Sequence, residues 1–167
     1  MYFVIKVLVV DDSAVMVRIL SEIINSDPEL HVVGTASHGI EAVRKTESLS
    51  PDVITMDVHM PRMDGIKAVD YIMKTVPTPI IMISSLTQEG AAATIQALDL
   101  GAIDFVSKPS GYVSLDIEDL AHEIIAKIKL AAKIHVVRSV KNCRLHDPRL
   151  AVRIQADTFR NAEEDRP

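Results

Sequence analysis

Val4-Ile5-Lys6-Val7-Leu8-Val9-Val10-Asp11-Asp12-Ser13 decides the fold: seven residues, apolar except for Lys6, run into two adjacent carboxylates and a hydroxyl. An apolar run of this length is too short to cross a membrane and suits a strand buried on both faces, as in a parallel sheet. Lys6 interrupts the run, the acidic pair closes it and no small-residue cleavage site follows, so it reads as a strand rather than a signal peptide.

Four more runs of the same kind occur at His31–Ala36, Asp52–Met56, Pro79–Ser84 and Ile103–Val106. Between them lie segments of helical spacing. Val15, Met16, Ile19, Leu20 and Ile23 form one apolar stripe; Ile66, Val69, Ile72 and Met73 form another, and Ile117, Leu120, Ile124 and Ile128 a third. Ser13 and Asp116 sit where helix N-caps belong, and Gly101 stands where a helix would end. Five strands alternating with five helices imply right-handed crossovers and an α/β doubly wound sheet. The pattern weakens after Ala132. It predicts one domain over residues 1–132 and a tail over 133–167, partly helical through Val136, Val137, Val140 and Leu145, then disordered from Asn161.

Polar residues break the strands at one end. Asp11 and Asp12 follow the first strand, Asp57 the third, Ser84 and Ser85 the fourth, and Lys108 the fifth. Carboxyl ends of parallel strands share one edge, where ligands bind near the switch in strand order. Residues far apart in sequence are therefore expected to converge. Two like charges 4 Å apart repel by about 4 kcal/mol at an effective dielectric of ~20, so three carboxylates there call for a cation. A hard divalent ion that keeps several waters, Mg2+, suits such oxygen ligands. Asp57 can then act as a nucleophile toward phosphorus, Lys108 can offset phosphoryl charge, and the Ser84 hydroxyl can bond to the phosphoryl oxygens. Taken singly, each residue has an ordinary reading: Asp-Asp-Ser as a helix cap, Asp57 as a solvated loop acid, Ser84 as a strand end, Lys108-Pro109 as a surface turn. Their placement at one edge, in order, favours the shared site. His59 has no second histidine at ligand spacing, so its imidazole is not expected on a metal. His31, His38, His122, His135 and His146 read as surface or capping residues, and the seven methionines as packing.

Charge is unevenly spread. Residues 1–132 hold 10 Lys/Arg and 18 Asp/Glu, a balance of −8, whereas residues 133–167 hold 8 and 5, a balance of +3. An acidic body argues against nucleic acid or anionic lipid as partner. The single cysteine, Cys143, rules out an internal disulfide framework and points to the cytoplasm.

Leu8-Val9-Val10-Asp11-Asp12-Ser13, then Asp57-Val58-His59-Met60-Pro61-Arg62-Met63-Asp64-Gly65, then Ser84, then Lys108-Pro109 resembles the response-regulator receiver domain, over residues ~4–130. The resemblance implies a flavodoxin-like fold with strand order 2-1-3-4-5 and phosphotransfer from a histidine kinase to Asp57. It implies Mg2+ bound by Asp12, Asp57 and the His59 carbonyl, with Asp11 acting through water, and a cis bond between Lys108 and Pro109. It also implies a switch pair, Ser84 and Phe105, in which the hydroxyl moves toward the phosphoryl group and the ring turns inward. Ser84-Ser85-Leu86-Thr87-Gln88-Glu89-Gly90-Ala91, Leu100-Gly101-Ala102-Ile103-Asp104-Phe105-Val106 and Lys108-Pro109-Ser110-Gly111 are similar to the receiver of the chemotaxis protein-glutamate methylesterase family. In that family the unphosphorylated receiver covers a serine-hydrolase domain that demethylates chemoreceptor glutamates. Residues 133–167 contain no serine in a glycine-rich turn, so esterase activity is not expected of these residues. The implied partners are a histidine kinase, and a methylesterase domain or chemoreceptor-associated proteins. His59 stands where that subfamily would carry an acidic residue, beside the path of an attacking water. A phosphatase that forms an aspartyl-phosphate is a weaker alternative, because its nucleophile would follow the first strand. A flavin carrier is weaker still, because the loop after that strand is acidic where a phosphate must sit.

Overall fold

A computed structural model describes residues 3–85, 87–108 and 115–142, with side chains omitted at 115–116 and 135–142. Five strands, β1 (Ile5–Val10), β2 (Leu30–Ala36), β3 (Val53–Asp57), β4 (Ile80–Ser84) and β5 (Asp104–Ser107), alternate with five helices. These are α1 (Ala14–Asn25), α2 (Gly39–Leu49), α3 (Gly65–Thr75), α4 (Gln88–Leu100) and α5 (Leu115–Asn142). The strands form one sheet in the order β2-β1-β3-β4-β5, every pair parallel. This is the flavodoxin-like doubly wound arrangement.

Because side chains alternate across a strand, each continuous apolar run feeds two cores at once. Leu8, Val10, Ile54, Met56, Ile80 and Met82 pack on one side beneath α2, α3 and α4, against Ala42, Ala68, Val69, Ile72 and Ala97. Val7, Val9, Val53, Ile81, Ile83 and Val106 pack on the other side beneath α1 and α5, against Leu20, Ile24, Leu120, Ile124 and Ile128.

Helix ends follow local chemistry. Ser13 caps α1 by accepting the Met16 N–H, and Gly101 closes α4 at φ 117°, a backbone region that favours glycine. His38 caps α2, its ring Nδ1 accepting the Glu41 N–H. Asp64 and Thr87 cap α3 and α4 with their side-chain oxygens. Helix α5 already includes Leu115, so Asp116 falls inside the helix rather than at the N-cap position; its side chain lies outside the described residues. Two members of the expected stripes are also displaced. Val15 is 64% exposed and Ile117 43%, each in the first turn of its helix. The buried faces begin further along each helix. The α5 backbone continues through Asn142; Leu145, the segment from Asn161, and the Lys108–Pro109 bond lie outside the described residues.

Candidate functional site

Strand order reverses at β1, whose neighbours β2 and β3 are reached by crossovers on opposite sides of the sheet. The carboxyl ends of β1, β3, β4 and β5 therefore open on one crevice. Asp11 stands just beyond β1, Asp57 ends β3, Ser84 ends β4 and Lys108 follows β5. Asp11 is 1% exposed, Asp57 and Ser84 are each 4% exposed, and Asp12 is open to solvent. Carboxylate oxygens of Asp11, Asp12 and Asp57 lie within 4.8 Å of one another.

Lys108 joins this group. Its Nζ lies 2.9 Å from Asp11 Oδ2 and 3.0 Å from Asp57 Oδ1, and its backbone N–H donates to the Ser84 carbonyl at 2.7 Å. The backbone fixes both carboxylates: Asp11 Oδ1 accepts the Ser13 N–H at 2.9 Å, and Asp57 Oδ1 accepts its neighbour Val58's N–H at 2.8 Å. Asp11 Oδ2 is fully buried, and its contact with Lys108 is close enough for an ion pair but misses hydrogen-bond geometry.

Burial raises the Asp57 carboxyl pKa above the ordinary carboxylate range, and the Asp11 charge adds to this. Lys108 and the Val58 N–H act in the opposite sense without cancelling it. Lys108 has the complementary balance. Burial works to lower its pKa, but its contacts with Asp11 and Asp57 prevail, so the ammonium is held protonated more firmly than usual. Among the described residues one cation faces three carboxylates, which leaves room for further positive charge. The donors are hard oxygens, and one buried carboxylate oxygen has no hydrogen bond among the described residues, so these residues suit a hard divalent cation.

A tight loop holds the end of β3 in place. The Gly65 N–H donates to Val58 O at 2.9 Å, the Met63 N–H donates to Pro61 O at 2.8 Å, and Arg62 takes a left-handed φ of 65° between them. The loop rests on the start of α2, where the Gly39 N–H donates to Met63 O at 2.9 Å and Arg62 reaches His38 Nε2 at 3.4 Å.

The family model of the response regulator receiver domain matches residues 7–118. The chain belongs to the response-regulator receiver family. It is 61% identical over 130 residues to the protein-glutamate methylesterase/protein-glutamine glutaminase of Pyrococcus horikoshii, a match covering 78% of this chain and 35% of that protein. It is 54% identical over 131 residues to the counterpart from Thermotoga maritima, covering 78% of this chain and 38% of that one. The receiver thus spans little more than a third of the length of these curated relatives. Among solved structures, the response regulator domain of Thermotoga maritima CheB superposes with a TM-score of 0.71 at 55% identity, covering 78% of this chain and 97% of that one. A CheX–CheY–BeF3–Mg complex from Borrelia burgdorferi matches at 0.61 and 32%, covering 73% of this chain and 90% of the other.

In this receiver, Asp11, Asp12, Asp57 and Lys108 come together as expected, with Ser84 closing the neighbouring strand. His59 is exposed in the loop after β3. Phe105 is not turned in toward the carboxylates: it is 42% exposed, with Lys127 Nζ 5.2 Å from its ring centroid. Neither Lys127 nor the close approach of Gly65 to Asp57 figured among the expected site residues. The only local signal for Lys127 is its i,i+4 spacing from Glu123, which points no further than a helical ion pair, whereas Gly65 lies within the Met-Asp-Gly sequence.

Proposed function

We propose that this receiver is a phosphorylation-dependent signalling switch of a chemotaxis-type two-component system, taking a phosphoryl group from a histidine kinase onto Asp57. The observation that carries it is the joining of Asp11, Asp12 and Asp57 with Lys108 at the carboxyl edge of the sheet. Asp12, Asp57 and the His59 carbonyl would hold Mg2+, with Asp11 acting through water; when bound, the ion supplies positive charge against the phosphoryl oxygens. The Val58 N–H and Lys108 engage Oδ1 of Asp57, which leaves Oδ2 to attack. A new O–P bond forms as the donor histidine's P–N bond breaks, and the electron pair of that bond stays with the imidazole. Lys108, already cationic and part-buried, then pairs with the transferred group. Ser84 moves to hydrogen-bond it, and Phe105 follows inward.

The test is intact mass after incubation with Mg2+ and a small phosphodonor. One added phosphoryl group in the wild type, absent from Asp57→Ala and from the metal-free sample, is expected. An adduct that persists in Asp57→Ala would sink the proposal, and continuous turnover of phosphoester would favour the phosphatase alternative.

A second reading is favoured by the 61% identity to a methylesterase: the switch regulates a methylesterase catalytic domain, with chemoreceptor-associated proteins as further partners. On this reading residues 1–132 are the regulatory unit, residues 133–167 a linker or tail, and esterase activity resides outside the receiver. Among the described residues, no helix is long and apolar enough to cross a membrane. We place the protein in the cytoplasm, on the strength of its single cysteine and its kinase-dependent chemistry.

A further inference from the structure

We propose that Lys127 is a latch that holds the Phe105 ring outward until Asp57 is phosphorylated. This rests on the switch reading of Phe105 and deepens it by naming the residue that sets the resting position.

The Lys127 ammonium bridges two elements. On its own helix it pairs with Glu123 Oε1 at 2.8 Å. Toward β5 it donates to the Phe105 carbonyl at 2.5 Å, approaches Asp104 Oδ1 at 3.4 Å and stands 5.2 Å from the Phe105 ring centroid. Its side chain is only 22% exposed. Two carboxylates and a carbonyl thus fix the cation in the position where it meets the ring face, and the negative face of the ring attracts it. The carbonyl and the two carboxylates do not depend on the rotamer of Phe105; the ring contact does. When the ring turns inward, Lys127 keeps its other partners and loses this one. The latch therefore biases the switch without being part of the phosphoryl site. A cation–π contact at a partly exposed position shifts a two-state population by roughly two- to fivefold. That is enough to set the resting level of signalling while leaving the phosphoryl group able to override it.

The experiment places 4-fluorophenylalanine at Phe105 of the full chain and reads its fluorine NMR line. It is recorded without ligand and with Mg2+ plus beryllofluoride, a stand-in for the phosphoryl group. The wild type should move from an outward to an inward line on adding beryllofluoride. In Lys127→Gln the inward fraction without ligand should rise roughly two- to fivefold, while Lys127→Arg should match the wild type. Lys127→Leu, which keeps aliphatic bulk beside the ring while removing the ammonium together with its bond to the Phe105 carbonyl and its two ion pairs, should behave as Lys127→Gln and separates the cation from packing. A wild-type ring that responds, with resting populations unchanged in Lys127→Gln and Lys127→Leu, would overturn the latch alone. A wild-type ring that never moves would overturn the switch reading, and the latch with it.

Discussion

A Cβ on Gly65 would stand 2.0 Å from the main-chain oxygen of Asp57. The opposing atom is backbone at the end of a buried central strand, so no flexible side chain can swing aside. The Gly65 N–H holds Val58 O at 2.9 Å, and the two contacts together press the first turn of α3 against the residue that would carry the phosphoryl group. Gly65→Ala must move either α3 or Asp57. We expect a loss of about 1–3 kcal/mol, as for overpacking elsewhere in cores, together with at least tenfold slower phosphorylation. Urea unfolding and phosphodonor kinetics on the same sample check both. Retention of wild-type phosphorylation would show that Asp57 does not depend on this close approach.

Lys108→Met should change two properties in opposite directions. The substitution removes the cation lying 2.9 Å from Asp11 and 3.0 Å from Asp57, leaving a more negative cluster. Mg2+ should then bind several-fold more tightly, since a repelling charge has gone, while phosphotransfer falls by tenfold or more because the phosphoryl oxygens lose their partner. Titration of Mg2+ followed by phosphodonor kinetics separates the two. Weaker Mg2+ binding would mean that Lys108 organises the carboxylates rather than competing with the ion.

Much of this was legible because a parallel sheet turns sequence order into position. The residue after each apolar run must lie at the carboxyl edge, so Asp11, Asp57, Ser84 and Lys108 converge wherever the loops run. The switch pair lay within reach of the family resemblance alone. Helical periodicity tells which face of a helix is apolar but not how deeply its first turn is buried, so the stripes include Val15 and Ile117, which stand exposed. The role of His38 as a cap was open because an imidazole accepts a backbone N–H only in one tautomer and orientation. Lys127 was illegible for another reason. Its partners Asp104 and Phe105 sit on β5, and nothing local in α5 foretells which turn of that helix passes over them.

Glu41 should make stability depend on acid pH. Its carboxylate pairs with Lys45 at 2.7 Å and accepts the Ser37 N–H at 2.9 Å, which hold its pKa down at about 2. A folded pKa below the unfolded value of 4.5 contributes stability that is fully present above pH 4.5 and is lost as pH falls toward 2. The side chain is 32% exposed, so solvent screening reduces the effect to about 1–2 kcal/mol. Glu41→Gln should be less stable than wild type by that amount at pH 7, with the difference shrinking to near zero at pH 2. A gap that stayed constant across this range would assign the loss to packing instead.

Thr55→Val should stabilise the protein. Thr55 lies in the middle of β3, between Val53 and Asp57, and is fully buried, its Oγ1 without a hydrogen-bond partner among the described residues. The residues opposite it, Val9 and Ile81, are apolar members of the core beneath α1 and α5. A buried hydroxyl without a partner costs about 1–3 kcal/mol in desolvation, and valine has nearly the same shape without the polar atom. We expect a gain of about 1 kcal/mol in urea unfolding, with the denaturant slope unchanged. Thr55 is one step along the strand from the Asp57 side chain on the same face. If the gain comes with slower phosphorylation, the hydroxyl serves the site and its lost stability is tolerated for function. If phosphorylation is unaffected, Thr55 is simply an uncompensated polar group in the core. A destabilised variant would contradict both and show that the hydroxyl is satisfied in solution.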